Sequence, residues 1–187
     1  MAPLRSLSNP VSSFDDPFAK TSARAGEVWF PYTGIIGNRA IVAGGMYNTS
    51  IAPSPYRADV IEFFDITTTG NATDFGDPAM RREAHAALGN LTRGLCGGGY
   101  GPSAPNGTNV IEYITIATTG NSQDFGDLTA SKSSLGALAS DTRGVFGGGY
   151  SNLNVIEYVT IATLGNGTDF GDLLQINEWP SGTSGDA

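Results

Sequence analysis

Apolar residues along this chain come in short alternating runs and nowhere sustain the three-to-four-residue spacing of an amphipathic helix. The strongest runs, starting at Val110 and Val155, are β-branched and aromatic, which suits a pleated, half-buried surface. In the last third of the chain the pattern predicts four strands. Residues 134–139 make a weak first strand of small residues, and 144–146 a second that runs into Gly147, Gly148 and Gly149. Residues 155–163 make the third and 168–170 the fourth. Ser140, Asp141 and Thr142 bond their own backbone readily and predict the turn between the first two strands. Gly165-Asn166 is expected to supply the positive φ of a tight hairpin. Residues 79–91 could be read as a short helix, but the aligned 129–140 is a poor helix former, so strand or loop is expected there. The expected fold class is all-β.

The same pattern occurs three times. VIEYITIATTGNSQDFGDL (110–128) and VIEYVTIATLGNGTDFGDL (155–173) agree at 15 of 19 positions, and VIEFFDITTTGNATDFGDP (60–78) agrees with the first of these at 12. Each copy is preceded by an arginine and a glycine run, at Arg39, Arg93 and Arg143. The units therefore span 27–78, 79–128 and 129–173, and they differ most in the loop before the Val-Ile-Glu strand (46–59, 101–109, 151–154). A loop that varies in length between copies is expected to be exposed. Residues 1–26 are polar, hold Pro3, Pro10 and Pro17, and read as an extended arm; 174–187 read as a tail with Trp179 as its anchor.

Composition narrows the function. Twenty-six glycines and only 15% charged residues fit turns and short strands rather than an acidic disordered chain. A net charge of −8 argues against phosphate-backbone binding, so no nucleic-acid partner is expected. There is no apolar run of 18 residues to span a membrane and no signal-peptide h-region at the start. Cys96 is the only cysteine and His85 the only histidine, too few for a disulfide framework, a zinc site or a triad. Gly97-Gly98-Gly99 lacks the Lys-Ser/Thr ending of a phosphate loop. No enzyme, metal or cofactor is expected.

Repeated residues receive structural roles first. Asp-Phe-Gly at Asp74, Asp124 and Asp169 echoes the kinase magnesium motif, but three periodic copies without a catalytic loop mark a turn-and-core element. The Asn-x-x-Asp-x-x-Asp loops place oxygen donors as calcium sites do, and equally serve as turn chemistry. Five Asn-x-Ser/Thr triplets read as turn composition rather than glycan acceptors. Glu62, Glu112 and Glu157 recur in the strongest strand, and a charge at a half-buried strand position requires a partner. The expected partners are Arg39, Arg93 and Arg143, within or between units; the alternative is a ring of arginines around a ligand-binding mouth.

Four short strands per unit, the glycine pairs Gly44-Gly45, Gly97-Gly98 and Gly147-Gly148, and a tyrosine at Tyr113 and Tyr158 resemble the kelch repeat of β-propellers. Phe75, Phe125 and Phe170 stand where that repeat has tryptophan. The fuller wording resembles kelch-like repeat proteins of tailed bacteriophages, including marine and cyanobacterial ones. The resemblance implies propeller blades and a tail-fibre-like or decoration role in the virion.

Three blades leave two apolar faces open. If each presents on the order of 500 Å², exposing both costs about 25 kcal/mol at about 25 cal/mol per Å². That exceeds the about 5–15 kcal/mol by which a domain is stable. Completion of the ring by a second copy, a dimer, is expected, with docking of the open wedge onto other virion proteins as the alternative. The arm is expected to anchor through Leu7, Phe14 and Phe18. The loops would display Tyr47, Tyr56, Tyr100 and Tyr150, able to stack on a host-surface saccharide. A connector of capsid, neck or tail with no receptor role, and a cellular kelch scaffold or lectin, are the competing functions.

Overall fold

The computed structural model describes residues 38–46, 57–150 and 153–183; the arm with Leu7, Phe14 and Phe18, and the loop tyrosines Tyr47 and Tyr56, lie outside them. The described residues are all-β, with eleven strands and no helix. The first sheet is β1 (Arg39–Ala43), β2 (Ile61–Asp65) and β3 (Thr73–Gly76). The second runs β4 (Ala86–Gly89), β5 (Arg93–Gly97), β6 (Thr108–Thr115) and β7 (Gln123–Lys132). The third runs β8 (Gly136–Ala139), β9 (Arg143–Gly147), β10 (Val155–Thr160) and β11 (Thr168–Asp172). Every neighbouring pair is antiparallel. Residues 86–89, inside the stretch that invited a helix, are strand.

Local chemistry accounts for the turns. The Ser140 hydroxyl accepts from the Arg143 N–H (3.1 Å), and Asn90 Oδ1 accepts from the N–H groups of Thr92 (2.9 Å) and Arg93 (3.0 Å). β10 and β11 form the expected hairpin, but not through a tight turn at Gly165-Asn166. β10 ends at Thr160 and β11 starts at Thr168, the chain turns first through a Thr163-to-Thr160 hydrogen bond (3.2 Å), and Gly165 does not adopt a positive φ. Gly165 and Asn166 instead face the neighbouring sheet.

The Asp-Phe-Gly motif is a β-bulge. Ile111 pairs with Gly126 and Glu112 with Asp124, so Phe125 is the extra residue, and Gly126 follows it at φ 146°. Phe75 and Phe170 occupy the same position, with Gly76 and Gly171 at φ 148° and 140°. The bulge sets each phenylalanine edge-on to Phe63, Tyr113 or Tyr158 at 6.0 Å, and Phe75 and Phe125 pack against the next sheet. The core accordingly lies between sheets. Leu95, Ile111, Phe125, Phe146, Val159 and Ile161 fill the space between the second and third, and Ile61, Phe75 and Ile114 that between the first and second.

A ladder of left-handed residues links successive units. Ala84, Ser134 and Trp179 have φ of 52°, 56° and 59°; Ser134 N–H donates to the Ala84 carbonyl (2.7 Å) and Trp179 N–H to that of Ser134 (2.9 Å). Trp179 is thus tied by its backbone while its indole stays exposed. Residues 173–179 repeat the connection that follows the first and second sheets. The glycine pairs also shift. Gly44-Gly45, Gly98-Gly99 and Gly148-Gly149 take positive φ, whereas Gly97 and Gly147 end strands β5 and β9 where the first unit has Ala43. A Cβ on Gly98 would stand 2.7 Å from the Lys132 carbonyl oxygen, and one on Gly148 2.6 Å from that of Asn177. A run of three glycines hides this register from sequence.

Candidate functional site

The seams between sheets are built from one set of contacts used twice. Let the trailing face of a sheet be the one turned to the following sheet, and the leading face the other. At the first seam, Gly120 N–H donates to the Phe75 carbonyl (2.7 Å) and Ser122 N–H to that of Asp77 (3.0 Å), while Asp77 N–H donates to Asn121 Oδ1 (3.0 Å). At the second, Gly165 N–H donates to Phe125 (2.9 Å), Gly167 N–H to Asp127 (2.7 Å), and Asp127 N–H to Asn166 Oδ1 (3.0 Å). These loop asparagines therefore accept backbone hydrogen bonds from the sheet before them. Among the described residues no group of three or more His, Cys, Asp or Glu is disposed to hold a metal ion.

The recurring arginines do not pair with the recurring glutamates. Arg39, Arg93 and Arg143 stand over the rings of Phe63 (4.3 Å), Tyr113 (4.7 Å) and Tyr158 (4.7 Å). From there Arg39 Nη1 donates across the first seam to the Ile116 carbonyl (2.6 Å) and Arg93 Nη1 across the second to Ile161 (2.8 Å). They do not form a charged mouth either; Arg39 and Arg93 each rivet one sheet to the next. Glu112 instead pairs with Arg82 and Glu157 with Lys132, all four side chains buried. Arg82 also donates to the carbonyls of Gly98 (3.1 Å) and Val110 (3.0 Å), and each glutamate accepts a backbone N–H, from Ala79 (3.2 Å) or Thr129 (2.6 Å). Arg82 comes from the connection entering the second sheet and Lys132 from the end of β7, just before the third. A basic residue at aligned positions 82 and 132 was the overlooked signal.

A small cavity of about 80 Å³ lies at the first seam, lined by apolar side chains with Arg82, His85 and Cys96. Burial pushes the Cys96 thiol up to about 11, opposed by Arg82 and aided by Glu112. The same burial, with Arg82 adding, holds His85 below the usual imidazole range. Neither group has a nucleophile's environment. A raised thiol destabilises its thiolate in the folded chain, so its contribution to stability is complete below pH 9 and is lost as pH rises through about 11. Two pH units leave about a hundredfold less thiolate near neutrality, so a disulfide reagent at pH 8 should label Cys96 about a hundredfold more slowly than in the urea-unfolded chain. Equal rates in the two states would overturn the assignment.

The outermost faces are the exceptional feature. Phe75 and Phe125 are 3% and 2% exposed, whereas Phe170, identically placed on the trailing face of the third sheet, is 56% exposed. The leading face of the first sheet mirrors this: Val42 (53%), Phe64 (36%) and Ile66 (64%) stand where the third sheet has Phe146 (0%), Val159 (3%) and Ile161 (0%). Of the expected binding aromatics, Tyr100 and Tyr150 pack edge to face at 6.4 Å from successive units, with Tyr150 exposed. No helix among the described residues is long and apolar enough to cross a membrane. No family model matches this chain, and no curated protein does.

Proposed function

We propose that this chain is a non-enzymatic structural protein of a tailed-phage particle, a tail or fibre component that works by being joined to other protein. In this reading the three sheets are blades of a kelch-like propeller whose ring is completed by a partner. The observation that supports it is the open trailing face, where Phe170 keeps the position and edge-on aromatic contact of two buried phenylalanines but has no sheet over it among the described residues. An apolar side chain of that size left in water forgoes about 1.5–3 kcal/mol, which docking recovers. The resemblance of the repeat wording supports the virion as the setting.

The test is incorporation. Peptides of the chain should be found in purified particles of the phage that encodes it, and tagged Phe170→Asp protein, supplied in infected cells, should be excluded at least tenfold relative to tagged parent. Absence from particles, or equal incorporation, would sink the proposal. Tyr100 and Tyr150 favour a second role on the same particle, adhesion to a host saccharide. Particles carrying Tyr150→Ala should then adsorb poorly; unchanged adsorption would leave a connector alone.

A further inference from the structure

We infer that the trailing face of the third sheet receives the leading face of the first sheet of a second copy of this chain, head to tail. The inference rests on the assembly reading above and names the partner. Both faces already have their counterparts inside one molecule. The trailing faces of the first two sheets bury Phe75 and Phe125 against leading-face residues of the next sheet, and only these two kinds of face are left open at the outer sheets. They differ in shape and chemistry, so two trailing faces would not reproduce the seam. One trailing and one leading face would.

Polar groups match in the same way. Each trailing face offers two carbonyls and an N–H, at Phe75 and Asp77, then at Phe125 and Asp127. The third sheet offers Phe170 and Asp172. Each leading face answers with a Gly-Asn loop, Gly120-Asn121 or Gly165-Asn166, and the first sheet bears Gly70-Asn71. Gly171 supplies a further sign. A Cβ at Gly76 or Gly126 would lie 2.5 or 2.4 Å from the incoming Gly120 or Gly165 carbonyl oxygen, and Gly171 keeps the same φ with open space above it. The third sheet thus retains the clearance that a Gly70 loop requires.

One position departs from the pattern. The chain leaving the first and the second sheet brings a cation to the glutamate of the next, Arg82 to Glu112 and, from the end of β7, Lys132 to Glu157. After the third sheet that position is Asn177, and the glutamate it would meet is Glu62 of the second copy. An amide in place of a cation makes this seam the weakest of the three, which suits a contact that forms and parts between molecules.

Sedimentation of the purified full chain tests the inference. The parent should self-associate in a concentration-dependent manner. Phe64→Asp and Phe170→Asp should each sediment as folded monomers, with circular dichroism unchanged, and their equimolar mixture should recover dimers, because each supplies the face the other lacks. Asn177→Lys should tighten association about tenfold, and Glu62→Gln should abolish that gain. A parent monomeric at all concentrations, with Asn177→Lys no different, would overturn the inference and leave particle incorporation to judge the assembly reading. Loss of association in Phe170→Asp with none in Phe64→Asp would also overturn it, since trailing faces would then meet each other. Ile66→Asp serves as the second leading-face variant should Phe64→Asp misfold.

Discussion

Lys132→Met is expected to destabilise the chain by about 3–5 kcal/mol, because it strands a carboxylate that water cannot reach. Glu157 is fully buried, and Lys132 is its only cationic partner among the described residues. The remaining donor to that carboxylate is the Thr129 N–H (2.6 Å), and one neutral hydrogen bond does not replace a charge in a medium of low dielectric. At roughly 2–4 °C per kcal/mol for a chain of this size, the melting midpoint should fall by about 6–20 °C. The double variant Lys132→Met/Glu157→Gln should regain most of the loss. It removes both charges together, and the new amide oxygen can still accept from Thr129. Urea unfolding of parent, single and double variants decides the matter; a single variant within about 1 kcal/mol of the parent would show the pair to be solvated.

That pairing also shows where sequence reading stopped. The all-β class and the threefold pattern were legible because β-branched runs, Gly-rich punctuation and copies of one phrase are properties of local sequence. The partner of a glutamate is not. Arg93 sits opposite Thr115, and Glu112 opposite Cys96, three residues further along β5. An odd separation on a strand puts two side chains on opposite faces, so Arg93 and Glu112 cannot meet. Recurrence of both residues in every repeat suggested a pair that ladder register forbids. The same lack of register made Gly165-Asn166 look like the tight turn of a hairpin, whereas both residues bond to the second sheet. A repeat unit optimised against its neighbours places its best-defined residues at seams, and seams are invisible until sheets are stacked.

Gly126→Ala and Gly171→Ala together measure what a seam is worth. Both glycines follow the bulged phenylalanine at nearly equal φ, 146° and 140°, so both alanines incur the same backbone strain, about 1–2 kcal/mol. Only at Gly126 does the new methyl meet a neighbour, 2.4 Å from the Gly165 carbonyl oxygen and 2.6 Å from its carbon. Those atoms are backbone and cannot rotate away, so the second and third sheets must separate locally. That separation threatens the Gly165-to-Phe125 hydrogen bond and loosens the packing around Phe125. Overpacking of this kind adds about 1–3 kcal/mol, which puts Gly126→Ala at about 2–5 kcal/mol in total. Gly171→Ala should cost only the strain when measured on dilute monomer. In concentrated protein it should additionally weaken self-association, because the second copy's Gly70 loop would meet the methyl that Gly165 meets at Gly126. Equal losses for the two variants in dilute solution would mean that strain alone decides, and that the second and third sheets are not held as closely as their glycines indicate.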